Sequence, residues 1–355
     1  MTLLHSQYAG RYTLEELLGQ GAHAVVYRAW DAVRAMEVAL KLYNEDALDH
    51  QTAEAATNAK VADCAAVMPL FEVFTDVLPR EATSMPLAKP FVKRFESLSC
   101  AEVRLAGLRL FTALAFCHGR GVVHGDIKPA NLFRDRHGHL QLGDFGVADF
   151  LPGARRGHTL EYAAPELLAG EPRSPQTDVW AASVTLFELM CGELPFGSTL
   201  DSSEAEVAER ISSGQAQKVA DLRPFLPRRL QSYFRSAFKV DPAQREITSA
   251  IVAHNAISEV AALADWVRIG GSGAIERWEG VERDRDGNPT GVQLAAELVF
   301  RPNLRRYEAH IYRQRPGGQL RRIPGARGCQ GPSEATVRQL MYARMRALTE
   351  GRSLR

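Results

Sequence analysis

At 355 residues, 45% hydrophobic and 24% charged, the chain has the balance of a soluble globular protein with room for two or three domains, which excludes a disordered or fibrous chain. Its five cysteines are odd in number, scattered and without CxxC spacing, which argues against a disulfide framework or a zinc cluster and points to a reducing cytoplasm. The net charge of +1 hides an asymmetry: from Trp266 onward there are 17 Arg, no Lys and 9 acidic residues, a net of +8, against −7 for everything before.

Residues 1–11, "MTLLHSQYAGR", lack the charged and apolar blocks of a secretory signal and read as a tail. From Tyr12 to Ala88 short β-rich runs ("YTLEELLGQG", "AVVYRAWDA", "MEVALKLY") surround one Ala-rich helical stretch, predicting a sheet-dominated lobe over 12–88. Helical spacing dominates 89–262, beginning with "AEVRLAGLRLFTALAFCHGRG", whose Gly119 and Gly121 suit a helix end. The longest apolar run there, "VWAASVTLFELM", carries Glu188 and falls short of the ~18–20 residues a bilayer span needs, so no membrane association is expected. Residues 263–355 predict a separate basic α+β module: a hairpin around "DGN", another around "PGG", and an amphipathic helix capped by Ser333 and Glu334.

Several motifs carry chemistry. In "LGQGAHAVVY", Gly19 and Gly21 lie between two strands, where missing side chains let backbone amides approach anionic oxygens; Ala24 stands where a third Gly is usual. Alone, this is equally a hairpin turn. "VALK" puts Lys41 on the next strand, and Glu54, with Glu45 and Asp49 as competitors, offers a carboxylate on the following helix. "HGDIKPANLF" crowds Asp126, Lys128 and Asn131 into one loop, "GDFG" adds Asp144, and "HTLEYAAPE" brings Thr159 and the Ala164, Pro165, Glu166 triplet. "TDVW" with Asp178 and "VDPAQRE" with Arg245 follow.

In order and number these motifs, from Tyr12 to about Ala256, resemble a eukaryotic-like, bacterial-type serine/threonine protein kinase. The resemblance implies an α+β bilobal fold, followed here by the small C-terminal α+β domain, and Mg2+ and ATP as cofactors of phosphoryl transfer to protein hydroxyls. It implies Asp126 as the group orienting the substrate hydroxyl, with Lys128, Lys41, Glu54 and Thr159 as its catalytic partners. Asn131 and Asp144 would hold Mg2+. ATP would meet Gly19, Gly21, Lys41, the hinge residue Ala88 and Met85, which guards the adenine pocket, with Val26, Ala39 and Leu132 sandwiching the base. His124 takes a packing role near Asp144, and Glu166 with Arg245 a buried ion pair.

One position departs from the pattern: Gly125 replaces the Arg that in this family precedes the catalytic Asp. Aminoglycoside and choline kinase type phosphotransferases also carry HGD, so a small-molecule phosphotransferase is one alternative; a nucleotide-binding pseudokinase scaffold presenting the basic module is another. Lys128 and the "APE" and "DVW" elements favour a protein kinase, and Lys41, Asp126, Asn131 and Asp144 favour an active one. The family Arg binds a phosphorylated residue of the activation segment, and glycine makes no such contact, so activation without phosphorylation is expected. Interleaved Arg and aromatic residues suit the C-terminal module to an acidic protein, nucleic acid, or packing against the kinase lobe.

Overall fold

The computed structural model describes residues 6–20, 24–44, 48–74, 81–92, 98–145, 159–269, 274–323 and 329–354, with the backbone alone for 48–54. The first lobe is a six-stranded antiparallel sheet built from β1 (Gln7–Tyr8), β2 (Tyr12–Gln20), β3 (Ala24–Asp31), β4 (Met36–Tyr43), β5 (Glu72–Phe74) and β6 (Ala82–Pro86), with α1 (Leu48–Val61) between β4 and β5. Strand order is β1-β2-β3-β4-β6-β5. Alternation along the strands separates two faces: Tyr12, Leu14, Tyr27, Val38, Leu40 and Leu42 form one apolar core, while Val26, Ala39, Lys41 and Met85 share the other, in register across β3, β4 and β6. The expected tail is shorter than 1–11, because Gln7 and Tyr8 pair with Thr13 and Tyr12 and Tyr8 is buried in the lobe core.

The second lobe begins with the short β7 (Lys89–Pro90) and α2 (Cys100–Gly119). Ser99 starts α2 with a capping box: its hydroxyl accepts from Glu102 N–H, and Glu102 accepts from Ser99 N–H. Gly121 takes φ +71 just beyond the helix end, a conformation that favours glycine. The chain then forms β8 (Leu132–Arg134) and β9 (Leu140–Leu142), which extend β7 into a three-stranded sheet. Next come α3 (Pro165–Leu168), α4 (Pro175–Cys191), α5 (Glu204–Ser212), α6 (Val219–Leu222), α7 (Arg228–Ala237) and α8 (Ala250–Ser258). Ser174, Pro175 and Gly192 at φ 74 delimit α4, which is buried along nearly its whole length. No helix among the described residues is long and apolar enough to cross a membrane.

The C-terminal region adds β10 (Ala264–Ile269), β11 (Glu276–Arg283), β12 (Pro289–Arg301), β13 (Arg306–Gln314), β14 (Arg321–Arg322), β15 (Gln330–Gly331) and α9 (Glu334–Thr349). Both hairpins and the helix correspond to sequence expectations, whereas β10 precedes them unforeseen. The division drawn at 262/263 falls inside a buried stretch, since Val260, Ala262, Ala264 and Trp266 are each under a tenth exposed. Phe225 packs edge-on to Trp278 at 4.9 Å, Leu263 N–H donates to Thr349 O at 2.9 Å, and Arg346 donates to Pro224 O. One apolar cluster therefore runs from Val61 through the helical lobe to Met345. The region is a continuation of that lobe's core.

Candidate active site

The loop after α2 is held from beneath by α4. Asp178, itself 1% exposed, accepts hydrogen bonds from His124 N–H (2.8 Å), Gly125 N–H (2.8 Å) and His118 Nε2 (2.9 Å). A buried carboxylate receiving three donors fixes the path of the backbone leading into Asp126. His124 is fully buried; its Nδ1 accepts from Asp126 N–H at 3.3 Å, so its Nε2 carries the proton donated to Gly143 O at 3.0 Å. Its ring also meets Phe145 at 4.8 Å. The imidazole thus ties the Asp126 loop to the Asp144 loop, the packing role expected of it.

Around Asp126 the polar groups close into a network. Thr159 Oγ1 donates to Asp126 Oδ1 at 3.0 Å, Lys128 Nζ lies 2.8 Å from Asp126 Oδ2, and Lys128 Nζ also donates to Thr159 Oγ1 at 2.9 Å. Asn131 Nδ2 donates to Asp126 O (2.7 Å) and Oδ2 (3.2 Å). That leaves Asn131 Oδ1 as an oxygen donor beside the Asp144 loop, which is joined to it by Gly143 N–H donating to Asn131 O at 3.0 Å. Asp144 sits at φ +60, a conformation uncommon for a residue with a side chain, and its Oδ1 meets Lys41 Nζ at 2.8 Å. This ion pair bridges the two lobes at the cleft.

Val26, Ala39, Lys41 and Met85 share the sheet face opposite the first lobe's core. Gly19 pairs with Val26, and a Cβ there would meet nothing within 4 Å, so the backbone is open to a ligand. Ala88 is half-buried between β6 and β7. Gly21 lies outside the described residues, as do Glu45 and the side chains of Asp49 and Glu54, although Glu54 belongs to α1. Leu132 is fully buried in the helical-lobe core, where alternation on β8 turns it inward. Phe133 takes the other face, its ring 2.9 Å from where a Cβ of Gly143 would stand.

Three further residues support the site without having been singled out for it. Asn58, buried on α1, donates to Met68 O (3.0 Å) and accepts from Leu70 N–H (3.2 Å), anchoring the helix to the segment that runs beside β9. Tyr162 donates to Glu188 Oε2 at 2.5 Å, and burial pushes both groups' pKa values up. Arg173 lies against Gly125. Tyr162 is legible as one of the two hydroxyl residues between Asp144 and Glu166, and Asn58 as a polar residue in an Ala-rich helix. Below the site, Arg245 grips Glu166 with two bonds of 2.7 and 2.6 Å, donates to Lys239 O and Val240 O, and lies 4.8 Å from the Trp180 ring.

The protein kinase domain family matches residues 12–257. Two rice relatives (Oryza sativa subsp. japonica) are similar: CBL-interacting protein kinase 29 is 31% identical over 275 residues, covering 69% of this chain and 59% of its own length. The putative CBL-interacting protein kinase 13 is 30% identical over 282 residues, covering 74% of this chain and 51% of its own. The chain thus spans only about half to three fifths of these relatives.

Proposed function

Because this chain belongs to the protein kinase family, we propose that it transfers the γ-phosphate of Mg-ATP to serine or threonine hydroxyls of protein substrates, and that it does so without prior phosphorylation of its activation segment. The observation that carries the first part is the closed network at Asp126. Lys128, Asn131 and Thr159 hold both carboxylate oxygens, so the group that must orient an incoming hydroxyl is positioned before substrate arrives. Lys128 keeps an ammonium beside it to offset negative charge as the phosphoryl group moves. Lys41, on the cleft face of β4, would meet the phosphates of ATP. Asn131 Oδ1 and the Asp144 carboxylate suit Mg2+, which takes few protein oxygens and otherwise binds water and phosphate. Bound there, the ion would neutralise phosphate charge.

The second part is supported by hydroxyl accounting. Between Asp144 and Glu166 the sequence holds two hydroxyl side chains, Thr159 and Tyr162. Thr159 is engaged by Asp126 and Lys128, and Tyr162 is turned into Glu188. Neither is offered to a modifying enzyme without breaking the site. All five thiols are free, and burial pushes the pKa values of Cys117 and Cys191 up to about 12.

The test is incubation with labelled ATP and Mg2+ of wild type, Asp126→Asn and Asp144→Asn, before and after treatment with a phosphatase. Wild type should label protein and keep its rate after dephosphorylation, with each variant lower by about 100-fold or more. ATP binding without any transfer by wild type would favour the scaffold reading, and loss of activity on dephosphorylation would refute the second part.

A further inference from the structure

The Gly125 peptide immediately precedes the catalytic Asp126, and it is confined on two sides by one short stretch of chain. On one side Asp178 Oδ1 accepts the Gly125 N–H at 2.8 Å. On the other lies Arg173: Nη1, Cζ and Cδ stand 2.7, 2.9 and 3.0 Å from the position a Cβ on residue 125 would occupy. Three atoms spread along the side chain make that approach, so the stem lies across the glycine as well as its tip. Gly125 also takes φ +79, where a side chain is strained independently of space. Arg173 directly precedes Ser174, the N-cap of α4, and Asp178 lies in that helix's first turn. The start of α4 thus brings both a cation and an anion against this one residue.

We propose that Arg173 is a positioning residue for phosphoryl transfer, which together with Asp178 clamps the peptide before Asp126. The guanidinium that the catalytic loop lacks at 125 is supplied from the α4 turn, and residue 125 is glycine because Arg173 fills its side-chain space. A guanidinium tethered to α4 is present whether or not any residue is phosphorylated, so the clamp is permanent. This role rests on Asp126 as the group that orients the substrate hydroxyl.

A swap separates the clamp from ordinary packing. Initial rates and melting temperatures are measured for wild type, Arg173→Ala, Arg173→Lys, Gly125→Arg and the double variant Gly125→Arg/Arg173→Ala. Arg173→Ala should lose on the order of tenfold to a hundredfold in kcat, with KM for ATP changed by less than about twofold, because Asp126 loses position while the nucleotide face of β4 is untouched. Arg173→Lys should recover part of the loss, since its stem still covers Gly125 but its head lacks the planar fork. Gly125→Arg alone should be worse than Gly125→Arg/Arg173→Ala, because two side chains compete for one space in the first and not in the second. If Arg173→Ala does not fold, the Lys variant and the swap decide. Wild-type kcat in Arg173→Ala, or no relief of Gly125→Arg by the second substitution, overturns the proposal while leaving the kinase reading intact. A wild type that transfers no phosphate overturns both.

Discussion

Thr159→Val removes a hydroxyl from the centre of the network around Asp126 while keeping the side chain's shape. Thr159 Oγ1 donates to Asp126 Oδ1 at 3.0 Å and accepts from Lys128 Nζ at 2.9 Å; the direct Lys128 to Asp126 contact at 2.8 Å survives the change. What is lost is hydrogen bonding to two charged groups, about 1.5–3 kcal/mol for a charge-assisted bond. If that loss falls on the transition state, one decade per ~1.4 kcal/mol predicts a fall in kcat of roughly 10- to 150-fold. Thr159 touches neither Lys41 nor Asp144 in the described contacts, so KM for ATP should stay within about twofold. Steady-state rates on a generic serine peptide, with Thr159→Ser alongside, measure this, and Ser should retain most of the rate. A Val variant within threefold of wild type, or a Ser variant as poor as Val, would show that Asp126 is held without Thr159 and that the network is not the positioning device.

Glu166→Ala strands the Arg245 guanidinium, whose side chain is 2% exposed. Breaking a buried pair costs about 3–5 kcal/mol, which thermal melting should register as a fall of roughly 5–15 °C; a fall under 3 °C would mean water reaches the site. Burial, helped by Arg322 and Arg301 and opposed by Glu308 at 3.3 Å, holds the His310 imidazole below its ordinary pKa of 6.5. The folded state therefore resists protonation, and stability is complete above that value and drops as pH falls through it, by at most about 1.4 kcal/mol per pH unit. Melting from pH 7.5 to 5.5 should show a slope that His310→Gln flattens; equal slopes would refute the assignment. Deleting residues 263–355 uncovers Phe225, worth about 1.5–3 kcal/mol, and removes the partners of Pro224 O and Arg228 N–H. The remaining 1–262 should express insolubly, and a soluble, cooperatively melting fragment would contradict the shared core.

Most of the cleft face of the first lobe's sheet was readable from sequence because a strand's period of two needs no distant information: Val26, Ala39, Lys41 and Met85 fall on one side once their strands are recognised. Asp126, Lys128 and Asn131 were readable for a related reason, since six residues of chain bring them together. The same period governs β8, where neighbouring residues take opposite faces, Leu132 entering the core and Phe133 lying against Gly143. Arg173 left no local trace, because its contact with Gly125 depends on the whole path of chain between them. The continuity of the C-terminal region with the helical lobe was hidden in the same way. Trp278 looks like any aromatic in a half-solvated strand until Phe225 is found 4.9 Å away.

The arginine excess of the last ninety residues takes on a different meaning once its partners are known. Arg277 pairs with Glu297 and Glu279, Arg283 with Asp265, Arg301 and Arg306 with Glu308, Arg313 with Glu282, and Arg338 with Glu276 and Glu334. Asp265 also accepts from Ala101 N–H at the start of α2, so Arg283 acts across the seam with the helical lobe. These guanidinium groups knit the sheet, its helix and the lobe, and a count of charges overstates how much of the field points outward. The rest of the chain contains the opposite case. Gly125 omits the guanidinium that the motif carries at this position, and Arg173 lays one across the same residue from another element. In both regions the function of an arginine follows from where its stem is anchored, and sequence position alone assigns it to the wrong task.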